Sequence, residues 1–139
     1  MTEKQQVEAW WTDNPMTYGD VHGADAFQGR TLRAESREYF EALDQQFYGW
    51  NTPLHDDRPF GKLFPYDTYK GRRVLEVGCG LGTMIMNWAR NGAAVTAVDL
   101  NRTSVTRTRQ RFALLGLEGS IEQADARSLP FPDATFDYV

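Results

Sequence analysis

From Arg73 onward, short apolar runs alternate with stretches of helical spacing. Val74-Leu75-Glu76-Val77 reads as a short strand bounded by Gly78. Thr83 to Arg90 is helical in pattern, with Met84, Ile85, Trp88 and Ala89 apolar. Gly92 stands where a left-handed helix stop belongs. Residues 94–98 form a second apolar run that ends at Asp99. Ser104 to Leu115 repeats the helical spacing, with Val105, Phe112 and Leu115 on one side and Gly116 as its stop. Residues 121–124 predict a third strand, and residues 136–139 the start of a fourth. Strands buried on both faces read as near-continuous apolar runs, and strands alternating with helices imply βαβ units. The fold class predicted is therefore α/β, a Rossmann-like, doubly wound parallel sheet of about four strands. Ligands of such sheets bind beyond the carboxyl ends of the strands, and the glycines after Val77 lie at that end.

The first half of the chain lacks this rhythm. Val7, Trp10 and Trp11 share one face of a short helix. Residues 12–30 hold an Asn-Pro pair and several glycines and read as loop. Leu32 to about Phe47 reads as a helix with the stripe Leu32, Tyr39, Phe40, Leu43 and Phe47, and loop follows. The expected division is a helical and loop segment over residues 1–70, a candidate lid or acceptor-site cap, and a ligand-binding sheet domain over residues 71–139. A doubly wound sheet that stops on the apolar residues of a fourth strand reads as unfinished. The expectation is a domain that continues, and the alternative is a small one that closes its exposed fourth-strand edge by self-association.

Composition narrows the field. With 139 residues, 41% hydrophobic and 24% charged, the chain has the size and make-up of an ordinary globular domain. A net charge of −4 lacks the basic footprint of nucleic-acid binders, so nucleic acid is not an expected partner. Arg102, Arg107, Arg109 and Arg111 read as a solvated helix face. The single cysteine, Cys79, allows no internal disulfide and suits a reducing compartment. No signal-peptide pattern opens the chain, and no window approaches the ~18 apolar residues of a membrane span. A cytoplasmic protein with no membrane partner is the expectation.

The turn Glu76-Val-Gly78-Cys79-Gly80-Leu-Gly82-Thr83 carries the chemistry. Its glycines permit a tight turn and close approach of a ligand, and the helix behind it offers free N–H groups. A dinucleotide site uses G-x-G-x-x-G, whereas this spacing is G-x-G-x-G with Thr83 after it. Glu76, at the end of a buried strand, requires compensation. A cation or a ligand rich in amino donors supplies it, and a pyrophosphate is repelled. Asp99 can accept both hydroxyls of a ribose, and Asp125, after the third strand, can accept from an adenine amino group. The three carboxylates describe a pocket for an adenosine that bears positive charge and no phosphate.

With VLEVGCGLGT, VTAVDLN and ADARSLPFPDATFDYV in hand, the chain resembles the class I S-adenosylmethionine-dependent methyltransferases. It looks most like the broad small-molecule group that includes the ubiquinone/menaquinone-type enzymes. The resemblance covers residues 70 to 139. It implies S-adenosyl-L-methionine as cofactor, S-adenosyl-L-homocysteine as product, and methyl transfer to a small-molecule acceptor. It places Gly78, Cys79, Gly80 and Gly82 in the loop under the methionine and ribose, and Glu76 toward the amino-acid end. It puts Asp99 on the ribose hydroxyls, Leu100 against the adenine, and Asp125 with Ala126 at the adenine amino group. Asp133 and Asp137 are read as structural. The alternatives left open are a non-catalytic cofactor-binding module and an NAD-dependent oxidoreductase.

The remaining candidates have plain readings. Cys79 is expected to be a small residue that fits the loop rather than a catalytic thiol. His22 and His55 stand apart from any metal-ligand spacing, so no metal is expected. Trp10, Trp11 and Tyr18 are a possible lid or simple aromatic packing, and Trp88 is expected in the core. Tyr18 and His22 are the candidates for a general base.

Overall fold

A computed structural model describes residues 1–14, 32–33 and 36–139. The chain divides into two compact units, Met1–Met16 with Asp67–Val139, and Thr17–Tyr66. The first residues thus group with those from Asp67 onward, which hold the sheet. Among the described residues no helix is long and apolar enough to cross a membrane.

The sheet unit opens with helix α1, Glu3–Asp13. It starts there because Thr2 and Gln5 form a reciprocal capping box, each side chain bonding the other's backbone N–H. Three parallel strands follow, β1 (Arg73–Val77), β2 (Ala94–Asp99) and β3 (Ser120–Gln123), in the order β1-β2-β3. Val77 pairs with Val98, and Asp99 with Gln123, so the strands end together. The fourth strand is reduced to a single parallel bridge between Val74 and Tyr138, on the free side of β1. There the Leu75 N–H donates to the Tyr138 carbonyl at 2.9 Å. Asp137 is structural as expected, accepting from the Arg73 N–H at 2.8 Å. β1 is therefore flanked on both sides, and the chain leaves it at the point where connections diverge, as the doubly wound pattern requires.

The connecting helices, α3 (Ile85–Arg90) and α4 (Arg102–Leu115), differ from expectation at their starts. α3 begins two residues later than the pattern suggested, because the glycine turn extends through Met84. α4 begins two residues earlier, because the Asn101 side chain accepts from the Thr103 and Ser104 N–H groups. Gly116 ends it at φ 63°, the left-handed stop read from the sequence. The core joins Val74, Leu75, Val95, Ala97 and Val98 of the strands to Ile85, Met86, Val105, Phe112 and Ile121. Trp88 is buried, and its ring lies 4.8 Å from that of Tyr138. Arg111 overturns the expected solvated arginine face, because it is fully buried.

In the second unit, helix α2 covers Arg37–Trp50, not 32–47. Ser36 caps it by accepting from the Tyr39 N–H, and Leu32 lies outside it. The rings of Phe47, Tyr48, His55, Phe60 and Phe64 meet in an aromatic cluster. His55 Nδ1 accepts from the Phe60 N–H at 2.9 Å, so its proton is on Nε2, which donates to the Tyr48 carbonyl at 2.9 Å.

Candidate functional site

The turn after β1 takes the shape its glycines permit. Gly78, Gly80 and Gly82 have φ of 78°, 52° and 74°, a region costly for residues with a Cβ. β2 and α4 hold the turn from behind. The Val98 carbonyl accepts from the N–H groups of Gly78 (2.8 Å) and Cys79 (3.1 Å). Thr108 Oγ1 donates to the Gly80 carbonyl at 2.9 Å, and Arg111 Nη1 donates to the Leu81 carbonyl at 3.0 Å and to Thr83 Oγ1 at 3.3 Å. A Cβ at Gly82 would stand 2.7 Å from Thr108 Cγ2, while one at Gly78 or Gly80 would meet nothing within 4 Å. Gly82 is thus required for packing, and Gly78 and Gly80 leave open space.

That space is a cavity of about 570 Å³ at the carboxyl ends of the strands, within the ~300–1,000 Å³ usual for small-molecule sites. β1 and the turn contribute Val77, Gly78 and Gly80, and β2 and its exit contribute Val98, Asp99, Leu100 and Asn101. The chain after β3 adds Ala124, Asp125, Ala126 and Arg127. α1 adds Glu3, Val7 and Trp11. Of the residues singled out from sequence, Gly78, Gly80, Asp99, Leu100, Asp125 and Ala126 come together on the wall. Glu76, Cys79 and Gly82 lie off it. Tyr18 and His22 lie outside the described residues. The contribution of α1 was not assigned from sequence beyond the possible lid, and the adjacent Trp10-Trp11 pair was its one signal.

Each carboxylate has a different environment. Asp99 ties two segments together, with Oδ2 accepting from the Gly80 N–H at 2.9 Å and Oδ1 from the Asn101 N–H at 2.8 Å. Each oxygen keeps a lone pair for a further donor. Glu76 is only part-buried as a residue, yet its Oε2 is sealed from solvent and meets no donor. Burial, with the Asp99 charge adding to it, pushes the Glu76 carboxyl up to about 8, against the pull of the Ile85 backbone N–H. Asp125 is held down at about 2, first by hydrogen bonds from the Arg127 side chain and backbone. Arg127 Nη2 lies 3.0 Å from Asp125 Oδ2, and Lys4 Nζ lies 3.9 Å from the same atom. Burial pushes the Cys79 thiol up, and the Glu76 and Asp99 charges reinforce this, so a thiolate is disfavoured there.

Known proteins resemble this chain in sequence and in fold. Residues 74–139 match the family model described as "Methyltransferase domain". Over 72 residues the chain is 46% identical to the fatty-acid O-methyltransferase of Mycolicibacterium smegmatis, covering 50% of this chain and 26% of that protein. Over the same length it is 42% identical to the phosphatidylethanolamine N-methyltransferase of Cereibacter sphaeroides, covering 50% and 35%. The chain therefore spans about a quarter to a third of the length of these relatives. In fold it is similar to the PH0226 protein of Pyrococcus horikoshii, with a TM-score of 0.56 and 23% identity over 74% of this chain and 49% of that one. Motif, strand order and matched stretch converge, and residues 74–139 of this chain are similar to a methyltransferase domain.

Proposed function

We propose that the cavity binds S-adenosyl-L-methionine and that the protein transfers its methyl group to a small-molecule acceptor. The observation that carries this reading is the cavity at the carboxyl ends of the strands, walled by Gly78, Gly80, Asp99, Leu100 and Asp125, with the unpartnered Glu76 Oε2 at the head of the glycine turn beside it. A buried carboxyl oxygen with no donor is costly, and the cationic amino-acid end of this cofactor offers the missing partner and favours the ionised form. A pyrophosphate in the same position would add negative charge beside Glu76 and Asp99, which disfavours a nicotinamide dinucleotide.

The other residues fit the same ligand. Gly78 and Gly80 leave their side of the cavity free of side-chain atoms. Asp99 has lone pairs left for the ribose hydroxyls. Leu100 offers an apolar surface for the adenine. Asp125 accepts three Arg127 donors, which leaves about one of its roughly four lone-pair directions for an exocyclic amino group.

The bound cofactor supplies an electrophilic methyl group whose departure leaves a neutral thioether, so the protein need not protonate a leaving group. What this chain contributes is alignment of the two reactants. The two relatives act, by their names, on a fatty acid and on phosphatidylethanolamine, which favours an acceptor of the lipid class over a polar metabolite.

The test is thermal unfolding with S-adenosyl-L-homocysteine and, separately, with NAD. A ligand at ~100 times its dissociation constant adds about 2.7 kcal/mol to stability. A rise of several degrees with the homocysteine nucleoside and none with NAD is expected, and the reverse pattern sinks the proposal.

A further inference from the structure

We infer that α1 is a cover for the nucleobase end of the site, with Val7 and Trp11 forming an apolar wall against which the base lies. This rests on the function proposed above and assigns to it an element outside the matched methyltransferase stretch. α1 has no buried residue, and Val7, Trp10 and Trp11 remain 41%, 55% and 37% exposed. An amphipathic helix normally gains its stability by burying such a stripe. Here two of the three side chains, Val7 and Trp11, border the cavity instead.

Three polar tethers fix where the helix sits. Lys4 Nζ is 3.9 Å from Asp125 Oδ2, Glu3 Oε2 is 3.8 Å from Arg127 Nη1, and Gln123 Nε2 donates to Glu8 Oε1 at 3.0 Å. Gln123 Nε2 also donates to the Leu100 carbonyl at 2.9 Å. These tethers reach the end of β3 and the segment after it, the part of the cavity where Leu100 and Asp125 are proposed to meet the adenine. The helix is therefore set over the base and not over the methionine end. Exposed ion pairs of this kind are weak, so the helix can lift to admit a ligand and reseat on it. A flat aromatic base filling the gap buries Trp11 and Val7, and stacking on an aromatic ring suits any base. Entry of the acceptor beneath α1 is then excluded.

The test uses the whole 139-residue chain and two probes, S-adenosyl-L-homocysteine and 5′-methylthioadenosine, which keeps the adenosine and lacks the amino-acid end. Dissociation constants are measured by calorimetry for the parent, Trp11→Ala and Trp11→Phe. Trp11→Ala is expected to weaken both probes by the same factor, roughly tenfold, and Trp11→Phe to restore most of it. Hydrogen exchange along α1 is expected to slow when either probe binds. Unchanged affinity for both probes in Trp11→Ala overturns the inference, and so does weakening of the homocysteine nucleoside alone. A parent that binds neither probe overturns the proposed function and this inference with it. A parent that binds both, with Trp11→Ala equal to it, overturns the inference alone. Ligand-free unfolding midpoints, expected to match because Trp11 is outside the core, exclude misfolding as the cause.

Discussion

In the unit of residues 17–66, His55 uses both ring nitrogens on backbone partners and the Tyr66 hydroxyl donates to the Pro59 carbonyl at 2.7 Å. In the sheet unit, Glu76 is left with a buried oxygen that nothing satisfies, and Asp99 and Asp125 keep lone pairs at the cavity. The two units build their interiors to different ends. Around the aromatic cluster these His55 and Tyr66 groups are completed by the backbone, although Gln46 Oε1 in the same unit is buried without a donor. The sheet unit saturates the back of its glycine turn, through Thr108 and Arg111, and leaves the front unsatisfied. On the cavity wall it is the Asp99 and Asp125 oxygens, with lone pairs to spare, that stand ready for a ligand.

The sharpest way to break this contrast is to damage the scaffold and look for an effect on the site. Phe60 is 2% exposed and touches four other rings. Phe60→Ala is expected to cost about 3–5 kcal/mol in denaturant unfolding. The affinity for S-adenosyl-L-homocysteine should stay within about twofold of the parent, because no proposed contact belongs to that unit. A large loss of affinity would refute the separation of roles. Arg111→Met works from the other side. It removes the donor to the Leu81 carbonyl and to Thr83 Oγ1, with an expected cost of about 2 kcal/mol. Affinity should fall by roughly tenfold, since a turn displaced by a fraction of an ångström misplaces its contacts.

The third prediction concerns pH. The Glu76 carboxyl is raised to about 8 in the folded chain. A raised acid contributes stability that is fully present below its unfolded value and is lost as pH rises through its folded value. Between the ordinary carboxylate range and about pH 8, the ligand-free protein should therefore weaken. Glu76→Gln should flatten that slope and leave the ligand-free variant more stable than the parent at alkaline pH, while lowering affinity for the homocysteine nucleoside. Urea midpoints of both proteins near pH 5 and near pH 8.5 measure it. A variant weaker than the parent at both values would mean that Glu76 is a satisfied structural group.

The strands, the glycine turn, Gly92 and Gly116 were legible in the sequence because their signals are local: apolar runs, and stops that require left-handed backbone. The helix starts were missed although a signal existed, since Ser36 and Asn101 are good caps placed directly before the periodic residues. Arg111 was misjudged for a different reason. It shares the spacing of Ser104, Val105, Thr108 and Phe112, but polar residues on that face hid the buried side. Its partner at Leu81 lies 30 residues away, and the Glu8–Gln123 tether of α1 spans 115. Contacts at such separation leave no periodic trace, which is why the sequence offered Trp10 and Trp11 as a lid or as packing without deciding between them.

Asp99 holds Gly80 with one oxygen and Asn101 with the other. Its identity is therefore under two separate demands, one from the turn and one from the ligand proposed for the cavity. A descendant of this protein that had ceased to bind anything would still need aspartate at that position to keep the turn and the start of α4 in place. Selection on folding alone would preserve it after selection on activity had ended. Retention of Asp99 in a divergent copy is thus poor testimony that the copy works. Trp11, which the fold can lose at little cost, is the residue whose disappearance would record that a lineage had given up its ligand.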